Sequence, residues 1–483
     1  MGILSRLPVG KLGDVAEYHV ENFGCRASRS DGEAIASGLR INGFVPAAEA
    51  NRAHLIIVNT CSVTAEADRS ARAFVRRVRR QNPEARVVVT GCYAQRAPLE
   101  VAGLEGVDAV VGNSHKALIQ DIAAKLVGGG QGRPANFVPL SELGGQSGEK
   151  HGTRSVWVDE HFAHAELATL PFAADAQQTR PNLKVQDGCA NRCSFCVIPA
   201  TRGPSRSVGL DVCLEDVRRF VERGGKELVL SGINLGRWGR DLIPARRFEE
   251  LVAGILSETE LSRLRLSSIE PMDWTQELLT LFEQYAAGEH PRLAPHAHLP
   301  LQSGADAILR GMHRRYRPWH YAERAASIRE LMPDAAIGAD VMVGFPGESD
   351  ELFEESYRFI EAQPFTYLHL FPFSARPGTA AWELHRERPV AAEAVSERMA
   401  ALRKLAETKS RGFSERFIGR TLSVVTLEGG GAAGTPAMAA NFVKVEMDEE
   451  LGANQMLTVC VSGRSSWDWS SSSSNGGLRG RRA

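Results

Sequence analysis

The run DGCANRCSFCVIP, residues 187–199, sets Cys189, Cys193 and Cys196 in a Cys-x3-Cys-x2-Cys spacing directly after a strand-like stretch near 183–186. Three thiolates on one short loop point to a metal. A structural zinc normally takes four protein ligands, and the next cysteine, Cys213, falls well beyond the loop in a helical pattern. A thioredoxin-like redox pair would use Cys193 and Cys196 and leave Cys189 without a role. An iron–sulfur cube held by three cysteines uses all of them. Because a cube normally takes four thiolates, it also leaves one iron with an open position for a small molecule.

Outward from this loop the chain repeats strand and helix. Strand-like runs near 183–186, 227–231, 263–268, 297–301, 336–343 and 366–371 alternate with helical stretches. Six such units over 181–410 predict a partial (βα)6 barrel, whose active groups belong at the carboxyl ends of the strands. Upstream, 17–23, 54–59, 86–90 and 108–111 are short β-branched runs separated by helical patterns at 31–42 and 66–80. They predict a parallel α/β domain over 17–125. Residues 126–180 read as an irregular linker, 414–462 as a small β-barrel with a turn-rich EGGGAAGTPA, and 463–483 as a disordered tail despite Trp467 and Trp469.

Three of the four predicted strand ends in the first domain carry a thiol: Cys25 in NFGCRAS, Cys61 in VNTCSVT and Cys92 in TGCYAQ. A lone free cysteine is ordinarily a small core residue. Three at equivalent ends of one parallel sheet share an edge and can hold a second cube. Cys213 and Cys460 lie outside both sets and read as core. Eight cysteines in 483 residues are too few for a disulfide scaffold. A net charge of −1 carries no whole-chain basic field, and no apolar run approaches the ~18 residues that span a bilayer, so the expected compartment is the cytoplasm with no membrane partner.

The spacing around Cys189 resembles the signature of radical S-adenosylmethionine enzymes. Together with the Cys25, Cys61 and Cys92 set, the partial barrel and the small β-barrel, the chain resembles the methylthiotransferase family of that superfamily from about 17 to 462. The resemblance is carried by GCANRCSFCVIPATRGPSRS, LSGINLGRWGRD, LSSIEP, LPLQSGADAILRGMHRRYR and ADVMVGFPGESDE. NTCSVTAEADRSAR and VTGCYAQ look most like the branch acting on N6-threonylcarbamoyladenosine in tRNA. NFGCRASRSD departs from the family's usual Cys-Lys-Val-Asn-like stretch but keeps Cys25.

The resemblance implies two [4Fe–4S] clusters, S-adenosylmethionine, and a 5′-deoxyadenosyl radical that takes hydrogen from C2 of an anticodon-loop adenosine before a methylated sulfur is transferred. It implies a sulfur donor and an electron donor such as flavodoxin or ferredoxin. The small barrel resembles the family's RNA-binding TRAM domain. Isopentenyladenosine in tRNA and a ribosomal protein aspartate are the alternative substrates, and an RNA-binding module with structural metal only is the non-enzymatic one.

Further residues follow from their positions. Phe195 matches an aromatic that flanks adenine; Ser231, Gly232 and Asn234 match the family's glycine motif, where a backbone without a Cβ lets the cofactor approach. Glu270, Gln302 and Asp340 lie at or near later strand ends and can bind cofactor amino, ribose or adenine groups. Arg202 and Arg206 can neutralise a cofactor carboxylate or contact RNA phosphate. Arg69, Arg72, Arg76 and Arg79 or Arg80 form a helix stripe suited to an RNA backbone, with Phe74, Val75 and Val78 facing a core. Arg314 and Arg315, beside Tyr316, offer a forked grip on the carboxylate that threonylcarbamoyl carries and isopentenyl lacks.

Overall fold

In this computed structural model residues 16–127, 155–160, 162, 179–429, 434–465 and 477–483 are described. The chain forms two compact units, one of Met1–Ala173 with Ala200–Arg202, the other of Ala174–Pro199 with Gly203–Ala483.

The first unit is built on a parallel sheet of β1 (Glu17–Asn22), β2 (Val45–Pro46), β3 (Leu55–Thr60), β4 (Arg86–Gly91), β5 (Ala109–Gly112) and β6 (Ser155–Trp157), in the order β2-β1-β3-β4-β5-β6. Every residue of β3 is buried, as a central parallel strand covered on both faces requires. Ile56, Val58 and Val89 pack with Phe74, Val75 and Val78 of helix α2 (Ala65–Gln81) on one face. Leu55, Ile57 and Val88 pack with Ile35 and Leu39 of helix α1 (Arg26–Ile41) on the other. Thr64 caps α2 by accepting from the Ala67 amide at 3.3 Å, and Glu66 and Asp68 oppose the positive end of its dipole. α1 begins earlier than the 31–42 pattern suggests and takes Cys25 as its N-cap. β6 comes from the stretch expected to be irregular, most of which lies outside the described residues.

The second unit carries all six expected strands: β7 (Asn182–Asp187), then, after a short β8 (Arg206–Ser207), β9 (Glu227–Gly232), β10 (Arg263–Leu266), β11 (His296–His298), β12 (Ala336–Val343) and β13 (Tyr367–Pro372). β7, β9 and β10 pair in parallel, as do β11, β12 and β13, and a bridge between Leu264 and Leu293 joins the two groups. β8 turns back antiparallel on β7.

Five strands close the small barrel: β14 (Thr421–Thr426), β15 (Thr435–Ala439), β16 (Lys444–Met447), β17 (Met456–Arg464) and β18 (Leu478–Arg482), in the order β14-β15-β16-β18-β17. Two of them correct the sequence reading. β15 begins inside what reads as turn-rich EGGGAAGTPA, and all five of its residues are buried. β18 lies in the stretch expected to be disordered; it runs parallel to β16 and antiparallel to β17, held from both sides. The strand has one large apolar side chain, Leu478, which is buried, and Gly480 passes where a Cβ would stand 3.0 Å from Val445. Trp467 and Trp469 lie outside the described residues.

The two barrels of this unit meet over a buried charge cluster. Glu227 accepts from Arg180 at 2.8 Å and from Arg265 at 2.8 Å, and pairs with Arg263 at 3.3 Å. The same arginines reach onward: Arg263 donates to the Ser423 hydroxyl at 2.6 Å and Arg265 to the Ala439 carbonyl at 3.1 Å. Burial alone would raise the Glu227 pKa, but the three guanidinium groups outweigh it and hold the carboxyl far below its ordinary range.

Candidate functional site

The first thiol set stands at the ends of three adjacent strands. Register pairs Asn22 of β1 with Asn59 of β3, and Thr60 of β3 with Gly91 of β4, so Cys25, Cys61 and Cys92 leave the sheet at one level. Gly24 has φ +119°, and a Cβ there would stand 2.2 Å from the Cys61 Cβ; the close approach of the two segments depends on that glycine. The Cys61 thiol donates to Cys25, holding Cys25 well below its ordinary pKa, helped by the Arg202 charge and by Ser28, and raising Cys61 itself. An N-cap position favours a thiolate in the same sense. Asn113 Nδ2 lies 3.5 Å from Cys92 Sγ, and Asn59 Nδ2 bridges Asn22 Oδ1 at 2.9 Å.

Replacing Gly24 by Ala is therefore expected to displace Cys61 and strip this set of its iron. Total iron falls by about half, while cleavage of S-adenosylmethionine persists; iron assay and product chromatography on one preparation check both halves.

The second set lies on the loop after β7. Gly188 (φ +71°) passes so close to the Pro204 carbonyl that a Cβ would stand 1.9 Å from its oxygen. Gln186 braces the turn, donating to the carbonyls of Asp187 at 2.9 Å and Gly188 at 2.8 Å and accepting from the Asn234 amide at 2.7 Å. The loop is stitched across the barrel by Ser194, whose amide donates to Met312 O at 3.1 Å and whose hydroxyl donates to Gly311 O at 2.7 Å. Donors converge on the sulfurs: Asn191 N and Asn234 Nδ2 on Cys189 at 3.4 and 3.5 Å, and Arg314 Nη1 on Cys193 at 3.3 Å. Burial raises the Cys189 pKa and pushes Cys196 up to about 12, so these groups are thiols until a metal displaces the proton.

The remaining candidates divide. Phe195 is half-buried beside Cys196, and Ser231 turns its hydroxyl to Leu183 O at 3.3 Å. Gly232 comes close to Gln186, where a Cβ would meet Oε1 at 3.0 Å. Gln302 has φ +69°, and its Oε1, like Asn234 Oδ1, is buried with no hydrogen-bond partner among the described residues. Two orphaned acceptors suit a ligand that brings ammonium or hydroxyl donors. Asp340 is held between His298 Nε2 at 3.1 Å and His369 Nδ1 at 3.3 Å; burial would raise its carboxyl, but the two imidazoles beside it outweigh that and keep it well below the usual range.

Several arginines have other partners than expected. Arg202 is buried and paired with Asp31 at 3.0 Å, an acid that also takes Lys116 Nζ at 2.7 Å, so its charge serves the first unit rather than a cofactor carboxylate or phosphate. Arg206 sits in β8 opposite Asp187. On α2, Arg72 pairs with Glu100 at 3.1 Å and Arg79 with Asp108 at 3.6 Å, which leaves Arg76, Arg80 and Arg69, the last paired with an equally exposed Glu66, as the exposed part of the stripe. Arg314 is bound to Glu270, whereas Arg315 is exposed. Cys213 is fully buried, as expected, and Cys460 half-buried. Sequence reasoning missed Gln186 and Asn113: a lone amide carries no pattern, though Asn113 directly follows β5 and Gln186 is the penultimate residue of β7, each near a thiol.

A six-strand partial barrel with a three-thiol loop after its first strand defines a radical S-adenosylmethionine protein, here with a second thiol-bearing domain. Residues 183–360 match the Radical SAM superfamily and residues 17–112 the family described as Uncharacterized protein family UPF0004. The chain belongs to the methylthiotransferase family of radical S-adenosylmethionine enzymes. It is 35% identical over 408 residues to threonylcarbamoyladenosine tRNA methylthiotransferase MtaB of Aquifex aeolicus, covering 84% of this chain and 92% of that one. To the protein of the same name from Bacillus subtilis it is 30% identical, covering 86% and 85%. To tRNA-2-methylthio-N(6)-dimethylallyladenosine synthase of Thermobifida fusca it is 32% identical, covering 86% and 78%. The radical S-adenosylmethionine methyltransferase TsrM of Kitasatospora setae shares the fold, with TM-score 0.53 and 15% identity over 77% of this chain and 74% of that one. The cofactors are S-adenosylmethionine and two [4Fe–4S] clusters. The donor chemistry fits: each thiol set offers three soft ligands with N–H groups aimed at sulfur, as iron–sulfur ligation requires.

Proposed function

We propose that this enzyme methylthiolates C2 of N6-threonylcarbamoyladenosine in the anticodon loop of tRNA. The bound clusters and S-adenosylmethionine supply the electron, the radical and the sulfur. The chain's own residues hold cofactor and base in register and exclude side reactions. Cys189, Cys193 and Cys196 would ligate the radical-generating cluster and Cys25, Cys61 and Cys92 the sulfur-carrying one. Phe195, Ser231, Gly232, Asn234, Glu270, Gln302 and Asp340 would surround S-adenosylmethionine. A sulfur donor and a reductant of the flavodoxin or ferredoxin kind would complete the cycle, in the cytoplasm. No helix among the described residues is long and apolar enough to cross a membrane.

One observation carries the choice of adenosine. Beside Cys193 opens a small solvent-open cleft, lined by Arg192, Arg237, Arg315, Glu270, Met272 and His313 among others. Arg192 and Arg315 are exposed there. Such a lining suits a substituent with a carboxylate and polar amides; a wholly apolar isopentenyl group would desolvate the Arg192 and Arg315 charges without offering them a partner. Mass analysis of nucleosides in tRNA from cells with and without this gene tests the reading: 2-methylthio-N6-threonylcarbamoyladenosine should vanish with the gene, and loss of the isopentenyl product, or of neither, overturns it.

With Arg314 engaged by Glu270, the grip on the carboxylate falls to Arg315. Arg315→Leu is expected to weaken use of threonylcarbamoyl tRNA by roughly 1.5 to 3 kcal/mol, the range for a charged hydrogen bond. Cleavage of S-adenosylmethionine without tRNA stays unchanged, and competition between the two modified tRNAs measures the loss.

A further inference from the structure

The turn from Gly311 to Tyr316 does more than line the cleft. Its carbonyls at Gly311 and Met312 grip Ser194, and Arg314 reaches the neighbouring Cys193 sulfur at 3.3 Å. Arg314 is only 8% exposed, and each end of its guanidinium is fixed. Nη2 binds the Glu270 carboxylate, Nε donates to Tyr316 Oη at 3.1 Å, and the guanidinium carbon stands 4.9 Å over the Tyr316 ring. Tyr316 is itself buried and locked, its hydroxyl donating at 2.7 Å to the Pro300 and Leu301 carbonyls. His313 immediately before adopts φ +56°, a left-handed backbone that non-glycine residues hold only where surroundings enforce it. The result is a permanent cation, unable to lose its proton, set against one ligand sulfur. Cys189, by contrast, receives only neutral amides in its hydrogen bonds from Asn191 and Asn234.

We infer that Arg314 is a positioning residue that sets the reduction potential of the cluster held by Cys189, Cys193 and Cys196. Reduction adds one electron to that cluster, taken from an external low-potential one-electron donor, and no bond to protein forms or breaks. The added negative charge is delocalised onto sulfur. A buried guanidinium donating to that sulfur therefore favours the reduced over the oxidised form, and the weak screening of a buried site makes the effect large. Glu270 sits on the far end of the same guanidinium and opposes it: its carboxylate lowers the potential that Arg314 raises. The pair acts as a charge setting of two opposite signs. This inference rests on the cluster and not on which adenosine is modified.

The test is an anaerobic redox titration of the reconstituted full-length protein, with dithionite as reductant. It follows the electron paramagnetic resonance signal that changes when S-adenosylmethionine is added, which separates this cluster from the other. Arg314→Gln should cut the ratio of reduced to oxidised cluster at a fixed potential at least tenfold, a fall of 59 mV for one electron. Arg314→Lys, which keeps the charge, should stay within threefold of the parent. Glu270→Gln should shift the ratio the other way. A general disturbance of the loop would move Arg314→Gln and Glu270→Gln in the same direction, and that outcome, or no shift in either with full iron present, overturns the inference. If Arg314→Gln fails to retain iron, Glu270→Gln decides alone: a rise supports the assignment and its absence removes it. A parent protein whose signal does not respond to S-adenosylmethionine would instead bring down the cluster assignment, and this inference with it.

Discussion

Joint replacement of Cys189, Cys193 and Cys196 by Ala should halve the iron of the anaerobically reconstituted protein and abolish both cleavage of S-adenosylmethionine and thiolation. The three sulfurs are the soft groups on the loop after β7, and the N–H donors of Asn191, Asn234 and Arg314 are aimed at Cys189 and Cys193. The contrasting variant removes Cys25, Cys61 and Cys92. It should lose the same share of iron and all thiolation, yet still form 5′-deoxyadenosine, because the loop after β7 and its supports belong to the other unit. Iron assay, 5′-deoxyadenosine and modified nucleoside measured on all three proteins give the pattern. Loss of 5′-deoxyadenosine from the second variant with its remaining iron intact would contradict the division of roles, and zinc in place of iron in the parent would contradict the clusters altogether.

The second large effect is on stability. Glu227→Gln keeps the shape of a fully buried side chain but leaves Arg180, Arg263 and Arg265 without their shared anion. Removing one partner of a buried ion network typically costs about 3–5 kcal/mol, since the remaining charge stays desolvated. Thermal unfolding followed by circular dichroism should show that loss, and a shift within error of zero would mean water or rearrangement already screens the cluster. The pH dependence has a definite sign. The folded-state pKa of Glu227 lies far below the ordinary carboxylate value near ~4.3, so its contribution is in full force above that value. The contribution fades only as pH falls toward the depressed folded value. The parent should therefore lose its advantage over Glu227→Gln only in strong acid.

The six strands of the partial barrel were legible in the sequence as short runs alternating with helical patterns, and the two thiol sets as cysteines just past strand ends. Besides the short β2, β6 and β8, two strands of the small barrel were not. β15 hides behind a glycine run and contains Pro436, and β18 offers one apolar residue among arginines, so each is made by backbone pairing with strands on both sides rather than by its own pattern. The arginines were the other blind spot. A sequence shows that Arg202, Arg263, Arg265 and Arg314 are charged but not that Asp31, Glu227 and Glu270, far away along the chain, will bury them. Residues that read as candidates for RNA or carboxylate contact became internal ties for that reason.

Each of the five strands in the small barrel is paired on both sides, β18 completing the ring between β16 and β17. Such a ring presents no open row of amides and carbonyls, so an extended segment of another chain cannot add to it as a further strand. Whatever docks there meets side chains alone. Recognition by this surface is thereby a matter of residue identity, with Arg464, Arg479, Arg481 and Arg482 clustered along β17 and β18, and it can be rewritten one residue at a time without disturbing the backbone that carries it.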